Sequence, residues 1–172
     1  MSDVVTVNKQ HMRLWVEALE SGEYQQGTGR LAKMIRTDTD SSEWQVKYCC
    51  LGVACEVAIA NGVPLSVQRY GHGEEGFLTY DGQGDVLPQR VRAWLGLDSG
   101  VPLFAGPTTY RSPGDADDPS MEVFYEDVDA VTANDVFEWD FNNIAAHLRD
   151  FYGLGDKHGL TSATPTTAEE TK

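Results

Sequence analysis

The chain is poor in basic residues, in cysteine and in long apolar runs, and each shortage excludes something. It has 13 Lys and Arg against 27 Asp and Glu, a formal net charge of −14. Binding to a phosphate backbone by counterion release needs a basic surface, which the chain as a whole lacks. Direct nucleic-acid binding is therefore not expected, and an anionic membrane leaflet would repel the chain in the same way. No stretch reaches 18 uninterrupted apolar residues, so no membrane-spanning helix is expected. The first residues, Met-Ser-Asp-Val-Val-Thr-Val-Asn, have neither the basic nor the apolar segment of a secretion signal.

The three cysteines, Cys49, Cys50 and Cys55, lie in one short segment. An odd, clustered set is no disulfide framework, and vicinal cysteines pair only with backbone strain. The expectation is three reduced thiols and a cytoplasmic location. The Gly27-Thr28-Gly29-Arg30 loop lacks the Gly-Lys-Ser/Thr of a Walker loop and fails the dinucleotide fingerprint. Asp115 to Glu126 has acids at three positions of a calcium loop, but Pro119 and Ser120 stand where a ligand and the obligatory glycine belong. Zinc could take Cys49, Cys50, Cys55 and His72 by type, but not by spacing. No metal or cofactor is expected.

What is present fits one domain. The length is 172 residues, and 41% of them are hydrophobic. Asn8 caps a helix over about 9–20, with Met12, Trp15, Val16 and Leu19 on one face. Residues 49–60 carry a single charge, Glu56, and read as a helix buried on most sides, stopped by Asn61-Gly62 and Pro64. Phe77–Tyr80 reads as a strand, with Asp81-Gly82 turning the chain back toward Asp85–Leu87. A further helix starts near Pro88 and ends at Gly96. Residues 105–120 form a long loop and Met121–Tyr125 a strand. Asp140 caps a last helix bearing Phe141, Ile144, Ala145, Leu148 and Phe151. The expected fold is α+β: three or four helices on a small, mainly antiparallel sheet, with a globular domain over 1–153 and a disordered tail over 154–172.

Four motifs recur in an order that resembles a known family. They are Tyr24-x-Gln26-Gly27-x-Gly29-x-Leu31; Cys49-Cys50-Leu51-Gly52-Val53-x-Cys55; Leu87-Pro88-x-x-Val91-x-x-Trp94-Leu95-Gly96-Leu97; and Asn134-Asp135 ahead of Phe141-x-x-Ile144-Ala145. Over residues 8–153 the chain is similar to small proteins encoded by bacteriophages and prophages. That resemblance implies a phage-like origin and a bacterial cytoplasm, and it carries over no catalytic residue.

Three sets of candidate site residues follow. A thiol at Cys49 or Cys50, at a helix start, would feel the positive end of the helix dipole. With His72 as base, it would make a cysteine-dependent hydrolase. The plainer alternative is that these cysteines are small buried hydrophobes. Gly27, Gly29 and Arg30, with Arg36, could hold a small anionic ligand such as a nucleotide. The ten acids between Arg111 and Arg149 include Asp115, Asp117, Asp118, Glu122, Glu126, Asp127 and Asp129. They suit either a solvated face or a dock for a host or defence protein with a basic surface. The leading expectation is a protein that acts by binding, with the hydrolase as the competing one. The sequence does not set an oligomeric state.

Overall fold

The computed structural model describes residues 6–37, 43–105, 108–111, 122–125 and 127–155. Within them lie four α-helices: α1 (Lys9–Glu20), α2 (Cys50–Ala60), α3 (Gln89–Leu95) and α4 (Phe141–Phe151). The main sheet has four antiparallel strands: β1 (Ala32–Arg36), β2 (Trp44–Tyr48), β3 (Val67–His72) and β4 (Glu75–Tyr80), in the order β2-β1-β4-β3. Two small antiparallel pairs join β5 (Leu103–Ala105) to β8 (Val128–Asp129) and β6 (Thr108–Arg111) to β7 (Glu122–Tyr125). A single π-helical turn, Thr132–Val136, precedes α4. The fold is α+β. No helix among the described residues is long and apolar enough to cross a membrane.

The helices form where the caps and periodicity place them. The Asn8 side chain accepts a hydrogen bond from the His11 amide, and Asp140 accepts one from Asn143, each satisfying an orphan N–H of a first turn. The α1 face of Met12, Trp15, Val16 and Leu19 is buried, and the Trp15 indole donates to the Cys50 carbonyl at 2.9 Å. That bond ties α1 to the first turn of α2. In α2, eight of eleven residues are buried, so the helix sits inside the core rather than on it. In α4, Phe141, Ile144, Ala145 and Leu148 are buried, but Phe151 remains exposed, edge-on to Tyr152.

The sheet corrects one sequence expectation. Asp81-Gly82 does turn the chain, through a bridge between Tyr80 and Gln83, but Asp85–Leu87 is not a strand. The partner of β4 is instead β3, joined to it by the two-residue turn Gly73-Glu74. Glycines 71 and 76, which look like strand breakers, are register partners within this hairpin. The backbones approach so closely there that a Cβ on Gly71 would lie 2.5 Å from the Gly76 Cα. The expected loop at residues 105–120 contains the start of the β6–β7 pair. Its remainder, like the expected tail beyond 155, falls outside the described residues.

Because side chains alternate along a strand, the register fixes two faces of the main sheet. Ala32, Met34, Val46, Tyr48, Leu78 and Tyr80 share the inner face, where Ala32, Met34 and Tyr80 are buried against the core. Lys33, Ile35, Lys47, Phe77 and Tyr70 share the outer one.

Candidate functional site

The Gln26–Leu31 segment threads between α2 and the π-helical turn, and a buried asparagine holds it there. Asn134 is 1% exposed. Its amide donates to the Gly27 carbonyl at 2.9 Å and to Asp135 Oδ1 at 2.7 Å, and its oxygen accepts from Gln26 Nε2 at 3.1 Å. Gln26 also donates to the Trp139 carbonyl and accepts from the Phe141 amide. Asp135 Oδ2 accepts from the Gly29 amide at 3.0 Å. Gly29 has φ +75, the left-handed region where glycine is preferred. Two motifs more than 100 residues apart, Gln26-Gly27-x-Gly29 and Asn134-Asp135, are therefore one hydrogen-bond network.

That network closes a cavity of about 160 Å³ at the start of α2. Gly29, Arg30, Cys49, Cys50, Asp85 and Asp135 are among its lining residues. The glycine loop and the cysteine pair, chosen from sequence for different chemistries, thus meet in one place. Arg30 and Asp85 pair at the rim, 2.9 Å apart and both well exposed.

The thiols are held in the protonated state. Burial pushes Cys49 up to about 11; the Gly52 and Leu51 amides pull it down, and the Asp135 and Asp85 charges add to the rise. Burial also raises Cys50 and Cys55 well above the ordinary thiol range. Cys50 Sγ donates weakly to the Ala130 carbonyl. His72 does not line the cavity: it stands exposed at the end of β3, opposite Glu75 in the register. Cys49 and Cys50 are therefore brought together with Arg30, not with His72. In the folded protein, iodoacetamide at neutral pH is expected to leave all three thiols unmodified, and full labelling is expected only in denaturant. A fast single adduct on Cys49, read by mass spectrometry, would contradict this placement. Among the described residues, no three His, Cys, Asp or Glu side chains are grouped to hold a metal ion.

Arg30 also reaches the outer face of the sheet. Its guanidinium lies 4.7 Å from the Phe77 ring centre, and Tyr70 stacks beside Phe77 at 5.5 Å and 18°. The register aligns one row across all four strands: Lys47 opposite Lys33, Lys33 opposite Phe77, Phe77 opposite Tyr70. A groove of about 380 Å³ runs along this face, lined by Arg30, Lys33, Ile35, Glu75 and Phe77 with backbone from neighbouring strands. The glycine loop lies against the lysines: a Cβ on Gly27 would meet the Lys47 Cβ at 2.9 Å, and the Lys33 Nζ is 3.7 Å from the Cβ position of Gly29. Among the described residues, no carboxylate forms an ion pair with Lys33 or Lys47. Sequence inspection missed Lys33, Lys47, Tyr70 and Phe77, because only strand pairing puts them in a row. Arg36, grouped with Arg30 from sequence, falls on the opposite face by strand alternation.

A family model described as a domain of unknown function, DUF8296, matches residues 7–150. The chain belongs to the DUF8296 family. No curated protein and no solved structure matches it. The DUF8296 segment includes the whole hydrogen-bond network, the cysteine cavity and the outer groove.

The acidic stretch is only partly within view. Asp115, Asp117, Asp118 and Glu126 lie outside the described residues, and Glu122 is described only as a backbone position of β7. Asp127 is exposed. Asp129 accepts from the Thr132 amide at 2.7 Å, so this carboxylate has a local structural task, as Asp135 and Asp140 do.

Proposed function

We propose that this protein is a phage-encoded accessory protein that acts in the bacterial cytoplasm by binding, and that its ligand is a small anion carrying a flat ring, of the nucleotide type. The phage origin rests on the four-motif resemblance. The ligand class rests on one observation, the Lys47–Lys33–Phe77–Tyr70 row beside the groove. Strands stand about 4.8 Å apart, so the row spans roughly 14 Å from ammonium groups to aromatic rings. Tyr70 is 46% exposed and offers a ring surface for stacking. Among the described residues, no carboxylate forms an ion pair with Lys33 or Lys47. Arg30 lies over Phe77, and its ion pair with Asp85 is exposed, contributes little and exchanges readily for a ligand phosphate.

The protonated thiols and the placement of His72 favour binding over thiol chemistry. The test is calorimetric titration of the full chain with purine and pyrimidine mononucleotides. Saturable binding is expected, weakened about tenfold or more by Lys33→Gln with Lys47→Gln, since charge-assisted hydrogen bonds contribute about 1.5–3 kcal/mol each. Tyr70→Ala should weaken it too. Failure of every mononucleotide to bind at millimolar concentration, or undiminished binding by the double variant, would refute the reading.

A further inference from the structure

We propose that Arg36 and Arg69, held over the ring of Trp44, form a second anion site on the inner face of the sheet, which takes the phosphate of a small phosphate monoester. Its side chains are not those that grip the ligand in the outer groove, although Gly71 and Gly76 border both. The Arg69 guanidinium lies 4.0 Å from the centre of the Trp44 ring and that of Arg36 5.2 Å from the same ring. Two like charges thus converge on one side chain at the end of the sheet.

The register explains how they meet. Arg36 is the cross-strand partner of Trp44, and Arg69 comes from the opposite edge of the sheet. The row between Trp44 and Arg69 holds Met34, Gly76 and Gly71, and its two glycines put no side chain in the way on the Arg69 side. Stacking on an indole engages the flat face of a guanidinium and leaves its in-plane N–H donors free for a fork-like grip on oxygen. Among the described residues, no hydrogen bond from either guanidinium to a protein acceptor is seen. Among the described residues, neither arginine forms an ion pair with a carboxylate. The Arg36 Nε is buried with no hydrogen-bond partner, whereas buried polar groups in folded proteins are nearly always satisfied.

The charge of the site selects its ligand. Two guanidiniums match a dianion with several acceptor oxygens better than a single carboxylate. A phosphate monoester has both the charge and the oxygens. In a chain of net charge −14, such a ligand would be repelled except where cations cluster. The main sheet is such a place: its strands carry Lys33, Arg36, Lys47 and Arg69 against one acid, Glu75.

Glycerol 2-phosphate, a phosphate monoester with no ring to stack in the outer groove, is the probe, titrated calorimetrically at low salt into the full chain, Arg36→Gln, Arg69→Gln and the lysine double variant K33Q/K47Q. Wild type should bind saturably. Each arginine variant should weaken binding about tenfold or more, and the lysine variant should weaken it less than either. Arg69 is exposed, so Arg69→Gln keeps the test decisive even where Arg36→Gln fails to fold. Binding lost in the lysine variant and kept in both arginine variants would assign the phosphate to the groove and overturn this proposal. Absence of saturable binding to wild type at millimolar probe would overturn it as well. Because nucleotide binding at the groove is measured on the lysines and this site on the arginines, either can fail without the other.

Discussion

Gly52→Ala is expected to unfold the protein or to cost it on the order of 4 kcal/mol or more, a large part of the roughly 5–15 kcal/mol that holds a domain of ordinary stability together. Helix propensity alone points the other way, since alanine in a helix interior is favoured over glycine by about 1 kcal/mol. The geometry overrides it. A Cβ on Gly52 would sit 1.7 Å from the Leu31 carbonyl oxygen and 2.7 Å from its carbon. The obstacle is backbone, not a side-chain tip that can swing aside. Leu31 cannot retreat, because its amide donates to the Gly84 carbonyl at 2.7 Å, its carbonyl accepts from the Cys49 amide at 3.2 Å and its side chain is fully buried. Nor can α2, which the core encloses on most sides. Gly22→Ala is the control. Unlike Gly52, which is helical, it lies at positive φ, +74, and it has open space around its Cβ position. That substitution should cost only about 1–2 kcal/mol, for the backbone conformation alone. Urea midpoints of the two variants separate collision from conformational strain. A Gly52→Ala midpoint at the wild-type value would mean that α2 and the Leu31 chain do not touch as described.

The same crossing shows why the candidate site was legible only in pieces. Helices α1, α2 and α4 announce themselves locally: Asn8 and Asp140 are cap residues by type, and apolar side chains recur at helical spacing or fill the whole circumference. Strand β3 gives no such signal. Its six residues, Val-Gln-Arg-Tyr-Gly-His, are all exposed, so no buried face imposes an alternation, and Gly71 reads as a break. Only beside Gly76 does Gly71 become a requirement. Strand β2 does carry a local signal, since Trp44, Val46 and Tyr48 alternate with Gln45 and Lys47. For the site, Gly27, Gly29 and Arg30 stood out through backbone freedom and charge, and Cys49 and Cys50 through reactivity. Nothing local says that the two groups face one cavity. That depends on α2 crossing the Leu31 backbone and on Asn134 and Asp135 reaching back over more than 100 residues. The outer row is less legible still, because Lys33, Lys47, Phe77 and Tyr70 are unremarkable on four separate strands until the register brings them level.

Raising the pH above 9 is expected to destabilise the fold steeply. The cause is the number of buried acids that lose a proton only at high pH. In the unfolded chain a thiol titrates near 9.0 and a phenol near 10.0. In the folded chain burial raises Cys49 to about 11 and, with the Glu56 charge adding, raises Tyr48 to about 12. Cys50, Cys55 and Tyr80 are raised further by the same burial, Tyr80 also through its hydrogen bond to Glu56 at 2.5 Å. The folded state therefore holds more protons than the unfolded state above pH 9, and stability must fall as pH rises. The contribution is complete below the unfolded thiol value of 9.0 and is lost on approaching the folded one. Cys49 alone, moved from 9.0 to about 11, accounts for on the order of 3 kcal/mol across that window. Cys50 and Cys55 begin to contribute over the same interval, because their unfolded forms ionise there too. Urea titrations under reductant, at steps from neutral pH to beyond 10.0, should show the midpoint level at first and then falling ever more steeply. Return to neutral pH should restore it. A midpoint that stays flat past 10.0 would mean that the thiols meet water in the native state, and with that the protonated, non-catalytic cavity at the head of α2 would have to be abandoned.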